Sequence, residues 1–236
     1  MLTQYVCKQL YISMSSVLMY KKEGGVKFSE KQQILVDELI GLGSDIVARQ
    51  MTKASAGNLS FRDPEDSSAF FVTATGCWLD ELDKTSFIQM THEGEILSGE
   101  SKPSTEWRMH SRCYQARLDA QVIIHAHPKH SVLLNALGKP IRFFTLDHVS
   151  YARSYGSAVF EPNGSSELAD AVAIELASND LAIMSYHGLA AIGETVTSTY
   201  RKMLNLEDAA EMTYRALLLG DETSSFPKAR TLSVHK

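Results

Sequence analysis

The sequence predicts a single α/β domain built on a mixed β-sheet. Three observations carry this expectation. Strand-like and helix-like periodicities alternate from residue 29 to residue 220. No low-complexity stretch divides the chain and no internal repeat is visible. An early pair of short strands around an acidic turn reads as a hairpin, which an all-parallel sheet would not contain.

The first helix is expected over 29–51: Ser29 and Gln32 have the spacing of a capping box, and Ile34, Leu35, Leu39, Leu42, Ile46 and Val47 keep helical spacing. Gly41 and Gly43 are its weak points. Strands at 59–62 and 69–73 flank Asp63-Pro64-Glu65-Asp66-Ser67-Ser68, whose three acids read as a solvated hairpin loop rather than a metal site. Residues 87–91 form the next strand, followed by a turn around Gly94. Ser104 is a good N-cap for a helix that buries Trp107, Tyr114 and Leu118. A strand over 121–127 is stopped by Pro128, a helix follows at 130–137, and 141–160 is strand-like and irregular. Pro162-Asn163-Gly164-Ser165 leads into a helix ending near 177, and 180–186 is a buried strand. A closing helix runs over about 196–219 and stops at Gly220. The domain is therefore expected over 29–220, between a loosely ordered N-terminal extension at 1–28 and a mobile tail at 221–236.

Composition narrows the function. Of 236 residues 44% are hydrophobic and 22% charged, enough to bury a core and unlike a disordered chain. With 23 basic against 28 acidic side chains the formal charge is −5, which offers no basic footprint for nucleic acid. No run reaches the ~18–20 apolar residues of a membrane span, and the N-terminus lacks a basic start and a cleavage site. Cys7, Cys77 and Cys113 are far apart without a Cys-x-x-Cys pair. They read as reduced cysteines of a cytoplasmic protein, not as a disulfide framework or a thiolate zinc site.

The chemistry gathers around histidines. In Val122-Ile123-Ile124-His125-Ala126-His127-Pro128, alternation along a strand sends His125 and His127 to one face and Ile124 and Ala126 to the other. Two imidazoles so fixed are two legs of a tetrahedral metal site, or else a hydrogen-bonded pair at a strand end. His187 closes the apolar strand before it and precedes Gly188, where a third nitrogen ligand would complete a His₃ site with an open position. His130 points elsewhere. Glu106 stands in the first turn of a helix, where an acid is also favoured by the helix dipole; beside the metal it could ligate or carry a proton. Gly57-Asn58, Thr75-Gly76 and Ser104-Thr105 supply the hydroxyls, amide and unhindered N–H groups of an oxyanion pocket.

Five stretches in order, Ala-Gly-Asn-Leu-Ser-Phe-Arg (56–62), Val-Thr-Ala-Thr-Gly (72–76), Lys-Pro-Ser-Thr-Glu-Trp-Arg-Met-His (102–110), Ile-Ile-His-Ala-His-Pro-Lys-His (123–130) and Tyr-His-Gly-Leu (186–189), resemble the class II aldolase/adducin family, and its fuculose-phosphate aldolases most closely. The resemblance implies a three-layer α/β/α sandwich with a central mixed sheet, assembled as a homotetramer with sites at subunit interfaces. It implies one Zn²⁺, or another divalent metal, on His125, His127, His187 and Glu106, with Glu106 also the acid/base. It places a substrate phosphate against Gly57, Asn58, Thr75, Gly76, Ser104 and Thr105. The implied reaction cleaves a (deoxy-)ketose 1-phosphate to dihydroxyacetone phosphate and an aldehyde through a zinc-stabilised enediolate. Alternatives within the family are a decarboxylase or a dehydratase acting on a hydroxy acid or sugar phosphate; Glu106 speaks against the epimerases, which commonly carry Asp there. A non-catalytic adducin-like assembly module is the alternative from another class, and the four intact candidate ligands speak against it.

The sequence departs from this pattern in one place. Fuculose-phosphate aldolases carry a proton-donating tyrosine about twenty residues after the second zinc histidine, where this chain reads Phe143-Phe144-Thr145-Leu146-Asp147-His148. His148 and Tyr151 are the candidate replacements, with Asp147 and Tyr155 behind them.

Overall fold

The computed structural model describes residues 26–227; the expectations for 1–25 and 228–236 lie outside the described residues. Helix α1 (Glu30–Ala48) begins at the expected capping box, in which the Ser29 hydroxyl accepts from Gln32 N and the Gln32 side chain accepts from Ser29 N. A hairpin of β1 (Asn58–Arg62) and β2 (Ala69–Thr73) follows, then β3 (Phe87–Thr91) and β4 (Ile96–Ser98). After α2 (Trp107–Ala116) come β5 (Val122–Ala126), α3 (Lys129–Ala136), β6 (Gly156–Ala158) and α4 (Ser166–Leu176). Strands β7 (Leu181–Met184) and β8 (Gly188–Gly193) form a tight hairpin, and α5 (Val196–Leu218) closes the domain. Gly220, at φ 79°, takes the left-handed conformation that ends the helix.

The eight strands make one mixed sheet in the order β4-β3-β2-β1-β5-β8-β7-β6, antiparallel except for β6 beside β7. Alternation along each strand splits the core in two. Val122, Ile124 and Ala126 of β5 pack with Leu39 and Ile46 of α1 and Met203 and Leu206 of α5, while Ile123 packs with Met109 and Cys113 of α2 and Leu168 and Val172 of α4. Both sheet faces are thus covered, giving the three-layer α/β/α sandwich.

Several local expectations are corrected. Strand β8 was not anticipated; its sequence GLAAIG is poor in β-branched residues, yet all six are buried and pair with β5 and β7. Strand β4, three residues long, was also unexpected. The 141–160 region is mostly a loop with one π-helical turn (His148–Ala152) and only the short β6. Asp63 is not solvated: it is 3% exposed and accepts from the side-chain amides of Gln32 and Gln89 and from Glu65 N. Gly43 is a packing requirement rather than a weakness, since a Cβ there would meet Leu79 O at 2.1 Å. Leu118, beyond the last turn of α2, is 80% exposed, and Ile34 is 56% exposed. In the tail, Phe226 N donates to Phe143 O, and Arg142 donates to the carbonyls of Asp221 and Ser224.

Candidate functional site

Three neighbouring strands lay the site across the middle of the sheet. The register β1–β5 pairs Asn58 with His125, and β5–β8 pairs His125 with Ala190 and Ala126 with Leu189. His125 and His127 project to the same side as expected, and the three-residue turn between β7 and β8 swings His187 over them. The three ring centroids stand 4.8 to 5.0 Å apart, and one nitrogen from each ring lies within 4.8 Å of the others. Gly188 permits this closeness: a Cβ there would meet His125 Cε1 at 2.7 Å and His127 Cδ2 at 3.0 Å.

Glu106 reaches the same point from the opposite element. The helix it was expected to sit in begins one residue later, so Glu106 occupies the N-cap position and Ser104 lies before it, its hydroxyl accepting from Glu106 N. The Glu106 side chain does not cap the helix. Its Oε2 lies 3.2 Å from His125 Nε2 and accepts from Asn58 Nδ2 at 2.8 Å, and its Oε1 lies 3.5 Å from His187 Nε2. Glu106 is 4% exposed and His125 fully buried.

This donor set fits a divalent cation. His125 Nδ1–H is committed to Leu189 O at 3.2 Å, so Nε2 is the nitrogen directed at the cluster, carrying a proton toward Glu106 in the metal-free chain and offering a lone pair to a cation that displaces that proton. His127 Nε2 is 3.0 Å from His125 Nε2, a distance at which two lone pairs repel unless a cation or proton lies between them. Glu106 Oε1 is buried without a hydrogen-bond partner, the mark of an acceptor kept for something else. The electrostatics agree. Burial alone would raise the Glu106 carboxyl, but the charges of His125 and His187, with hydrogen bonds from His125 and Asn58, outweigh it and hold the group well below the usual carboxylate range. Burial, and then repulsion from His125 and His187, lowers His127 to about 3, and burial chiefly lowers His187. Burial also disfavours the His125 cation, but Glu106 beside it raises that group.

A cavity of about 300 Å³ opens beside the cluster, and Gly57, Asn58, Thr75, Gly76, Ser104 and Thr105 all line it together with Glu106, His127 and His187. The main chain assembles it: Thr75 N donates to Lys102 O and Ser104 N donates to Thr73 O, clasping the Thr75-Gly76 turn to the Ser104-Thr105 turn. Gly57, at φ 84°, lies where a Cβ would meet His125 O at 2.7 Å, so the first polar stretch abuts β5. Lys53, Ser55 and Asn163 also line the cavity and were not singled out from sequence; nothing in their local text distinguishes them from ordinary loop residues. A wider groove of about 470 Å³ between α1 and α5 lacks convergent ligands.

The suggested proton donors are elsewhere in this chain. His148 is fully buried, its Nε2 2.7 Å from Asp208 and its Nδ1 accepting from Phe144 N. Tyr151 lies under the Arg201 guanidinium. Neither lines the cavity. His130 is held by Glu207 at 2.8 Å. The residue missed by sequence reading is His110, buried on α2 behind Asn58; its signal was the one-turn spacing from Glu106.

The profile of the Class II Aldolase and Adducin N-terminal domain matches residues 37–214. An L-fuculose phosphate aldolase of Methanococcus maripaludis is 30% identical over 166 residues, covering 70% of this chain and 88% of that protein. A 3-oxo-tetronate 4-phosphate decarboxylase of Escherichia coli is 29% identical over 199 residues, covering 82% of this chain and 91% of that protein. Among solved structures, an L-fuculose 1-phosphate aldolase superposes with a TM-score of 0.75 at 27% identity, covering 87% of this chain and 94% of that one.

Proposed function

This chain belongs to the class II aldolase and adducin family, and on that premise we propose that it is a Zn²⁺-dependent aldolase cleaving a (deoxy-)ketose 1-phosphate to dihydroxyacetone phosphate and an aldehyde. The observation that carries the reading is the convergence of His125, His127, His187 and the unpartnered Glu106 Oε1 at the wall of a polar cavity. Those four residues would hold a divalent cation, which would supply Lewis-acid polarisation of the substrate carbonyl. Around it, the chain's own groups bind, orient and move a proton. The phosphate dianion sits against the Gly57, Thr75-Gly76 and Ser104-Thr105 turns, where main-chain N–H groups and hydroxyls stand in for a basic patch, with Lys53 at the rim. Asn58 is both a wall of that cavity and the donor to Glu106.

In the cleavage direction the substrate C4 hydroxyl loses its proton, the C3–C4 bond breaks, and C3 receives a proton. Glu106 carries the C3 proton: it is the one carboxylate in the cavity lining, and burial with the Asn58 hydrogen bond fixes its position beside the histidines. Neither candidate donor to the C4 hydroxyl lines this cavity, and the reading includes a homotetramer in which the exposed Tyr151 of the 143–155 segment serves a neighbouring subunit, His148 being buried against Asp208.

The test is turnover by the Zn²⁺-loaded chain of a panel of ketose 1-phosphates, read as dihydroxyacetone phosphate released. Release from at least one member is the expected result. No cleavage of any, together with CO₂ release from a phosphorylated oxo acid, would replace the aldolase reading by decarboxylation, which the E. coli relative favours.

A further inference from the structure

A buried line of hydrogen bonds leaves the ligand cluster and runs between α2 and β1. Asn58 Nδ2 donates to Glu106 Oε2 at 2.8 Å. The other end of that amide, Oδ1, meets His110 Nε2. His110 Nδ1 lies 2.6 Å from Ser60 Oγ, which lies 2.8 Å from the Tyr114 hydroxyl. Asn58 is 5% exposed, and Ser60, His110 and Tyr114 are fully buried.

The two elements are matched in pitch. Glu106, His110 and Tyr114 recur at one helical turn, roughly 6 Å apart along α2. Asn58, Ser60 and Arg62 recur every second residue, roughly 6.6 Å apart on one face of β1. The two rows therefore mesh like a zipper. Asn58 fits between Glu106 and His110, Ser60 fits between His110 and Tyr114, and the Arg62 guanidinium donates to Tyr114 O at 2.7 Å.

Only one placement of protons satisfies the line. An ionised carboxylate can only accept, so Asn58 turns its NH₂ to Glu106 and its carbonyl to His110. That carbonyl needs a proton on His110 Nε2. Burial lowers His110 to about 3 and keeps it neutral, so Nδ1 is bare and accepts from the Ser60 hydroxyl. The Ser60 oxygen then accepts from Tyr114.

We propose that His110 is a positioning residue: its Nε2–H locks the Asn58 amide with NH₂ toward Glu106, and so holds that carboxylate beside His125, His127 and His187. A primary amide is nearly symmetrical in shape, and a half-turn exchanges its oxygen and nitrogen. The turned amide would set a carbonyl oxygen 2.8 Å from the Glu106 oxygen, a repulsive contact in the same space. A donor fixed behind Asn58 removes that alternative, and Ser60 and Tyr114 fix the donor. This inference rests on the metal reading of the cluster.

The test uses Co²⁺ on the full chain, with affinity measured by chelator competition and ligand geometry read from the visible d–d bands. His110→Phe keeps a ring but removes both nitrogens; it is expected to weaken Co²⁺ binding about tenfold and to shift the bands. His110→Gln can still donate to Asn58 and is expected to recover most of that loss. In the Asn58→Leu background, His110→Phe is expected to cost nothing further, because it acts through the amide already removed. Wild-type binding in His110→Phe, equal losses in the Phe and Gln variants, or additive losses with Asn58→Leu would each overturn the proposal. If His110→Phe does not fold, Ser60→Ala asks the same question, with a smaller weakening expected and an unchanged Co²⁺ affinity and spectrum as the overturning result. Absence of Co²⁺ binding to the unaltered chain would instead remove the metal reading, and this role with it, before any variant is compared.

Discussion

Replacing Gly188 by alanine is expected to damage the metal site without touching a ligand. The added Cβ would lie 2.6 Å from Ala126 O, 2.7 Å from His125 Cε1 and 3.0 Å from His127 Cδ2. To move from 2.7 Å to the 3.4 Å at which ordinary contact begins, His125 Cε1 must retreat by about 0.7 Å. That carbon joins the two ring nitrogens, so its retreat drags both the Nε2 directed at the cluster and the Nδ1 bonded to Leu189 O. Metal–ligand distances tolerate only about 0.2 Å. An affinity loss of about 100-fold follows, equivalent to about 2.7 kcal/mol, with about 1–3 kcal/mol of stability lost to overpacking. Competition against a chromophoric chelator measures the first quantity, and urea unfolding of the metal-free chain measures the second. Gly41→Ala is the control: a Cβ there meets nothing within 4 Å, so binding should be unchanged and stability should rise by about 0.5–1 kcal/mol. Zn²⁺ affinity within threefold of the unaltered chain in Gly188→Ala would refute the claim that this glycine sets the imidazole spacing.

Four further outcomes are expected. Glu106→Gln should slow turnover by about 10²–10⁴-fold while the three histidines still bind Zn²⁺, as single-turnover kinetics and metal titration would show; a loss smaller than tenfold would remove Glu106 as proton carrier. Chelation of the metal should lower Tm by about 5–10 °C when compared with protein held at 100 times Kd, a stabilisation of about 2.7 kcal/mol. Acidification should weaken the metal-free fold: His110 and His127, at about 3 in the native state against an ordinary 6.5, take up protons more readily when unfolded. Their contribution is therefore fully present above about pH 7 and lost as the pH falls toward 3, so the urea midpoint should fall between pH 7 and 5.5, and a flat midpoint across that range would contradict it. Asp63→Ala should cost about 1–3 kcal/mol by stranding the buried Gln32 amide and the half-buried Gln89 amide, whereas a solvated loop acid would cost almost nothing.

The parts of the site that were legible in the sequence are those set by local periodicity. His125 and His127 share a face because a strand repeats every two residues, and the strand itself was marked by its apolar neighbours and Pro128. His187 was visible through the end of an apolar run and the glycine after it. Glu106 gained meaning only by association, because a lone acid at a helix start has an ordinary explanation. His110 was hidden for a similar reason: on the buried face of an amphipathic helix it reads as a core residue, and its partner Ser60 is 50 residues away. Strand β8 escaped because small residues can fill a doubly covered central strand without the β-branched signature of a half-exposed one. Asp63 was misread because hairpin acids are usually wet, and only the tertiary approach of Gln32 and Gln89 makes this one dry.

Placing His125 on β5, with His127 just after it and His187 just before β8, sets the cluster inside the sheet, with four strands on the β4 side of β5 and three on the β6 side, and has a consequence for how a bound metal would be lost. Edge strands fray first, and the amides of central strands exchange with solvent only in the largest openings. His125 sits between two paired strands, its ring fully covered. Departure of the ion through a widened mouth and collapse of the central ladder would then be coupled events. Amide exchange along β5 should slow in step with metal occupancy, while the short β4 and β6 exchange alike in both forms. A protein built this way would keep its metal on the timescale on which it keeps its fold.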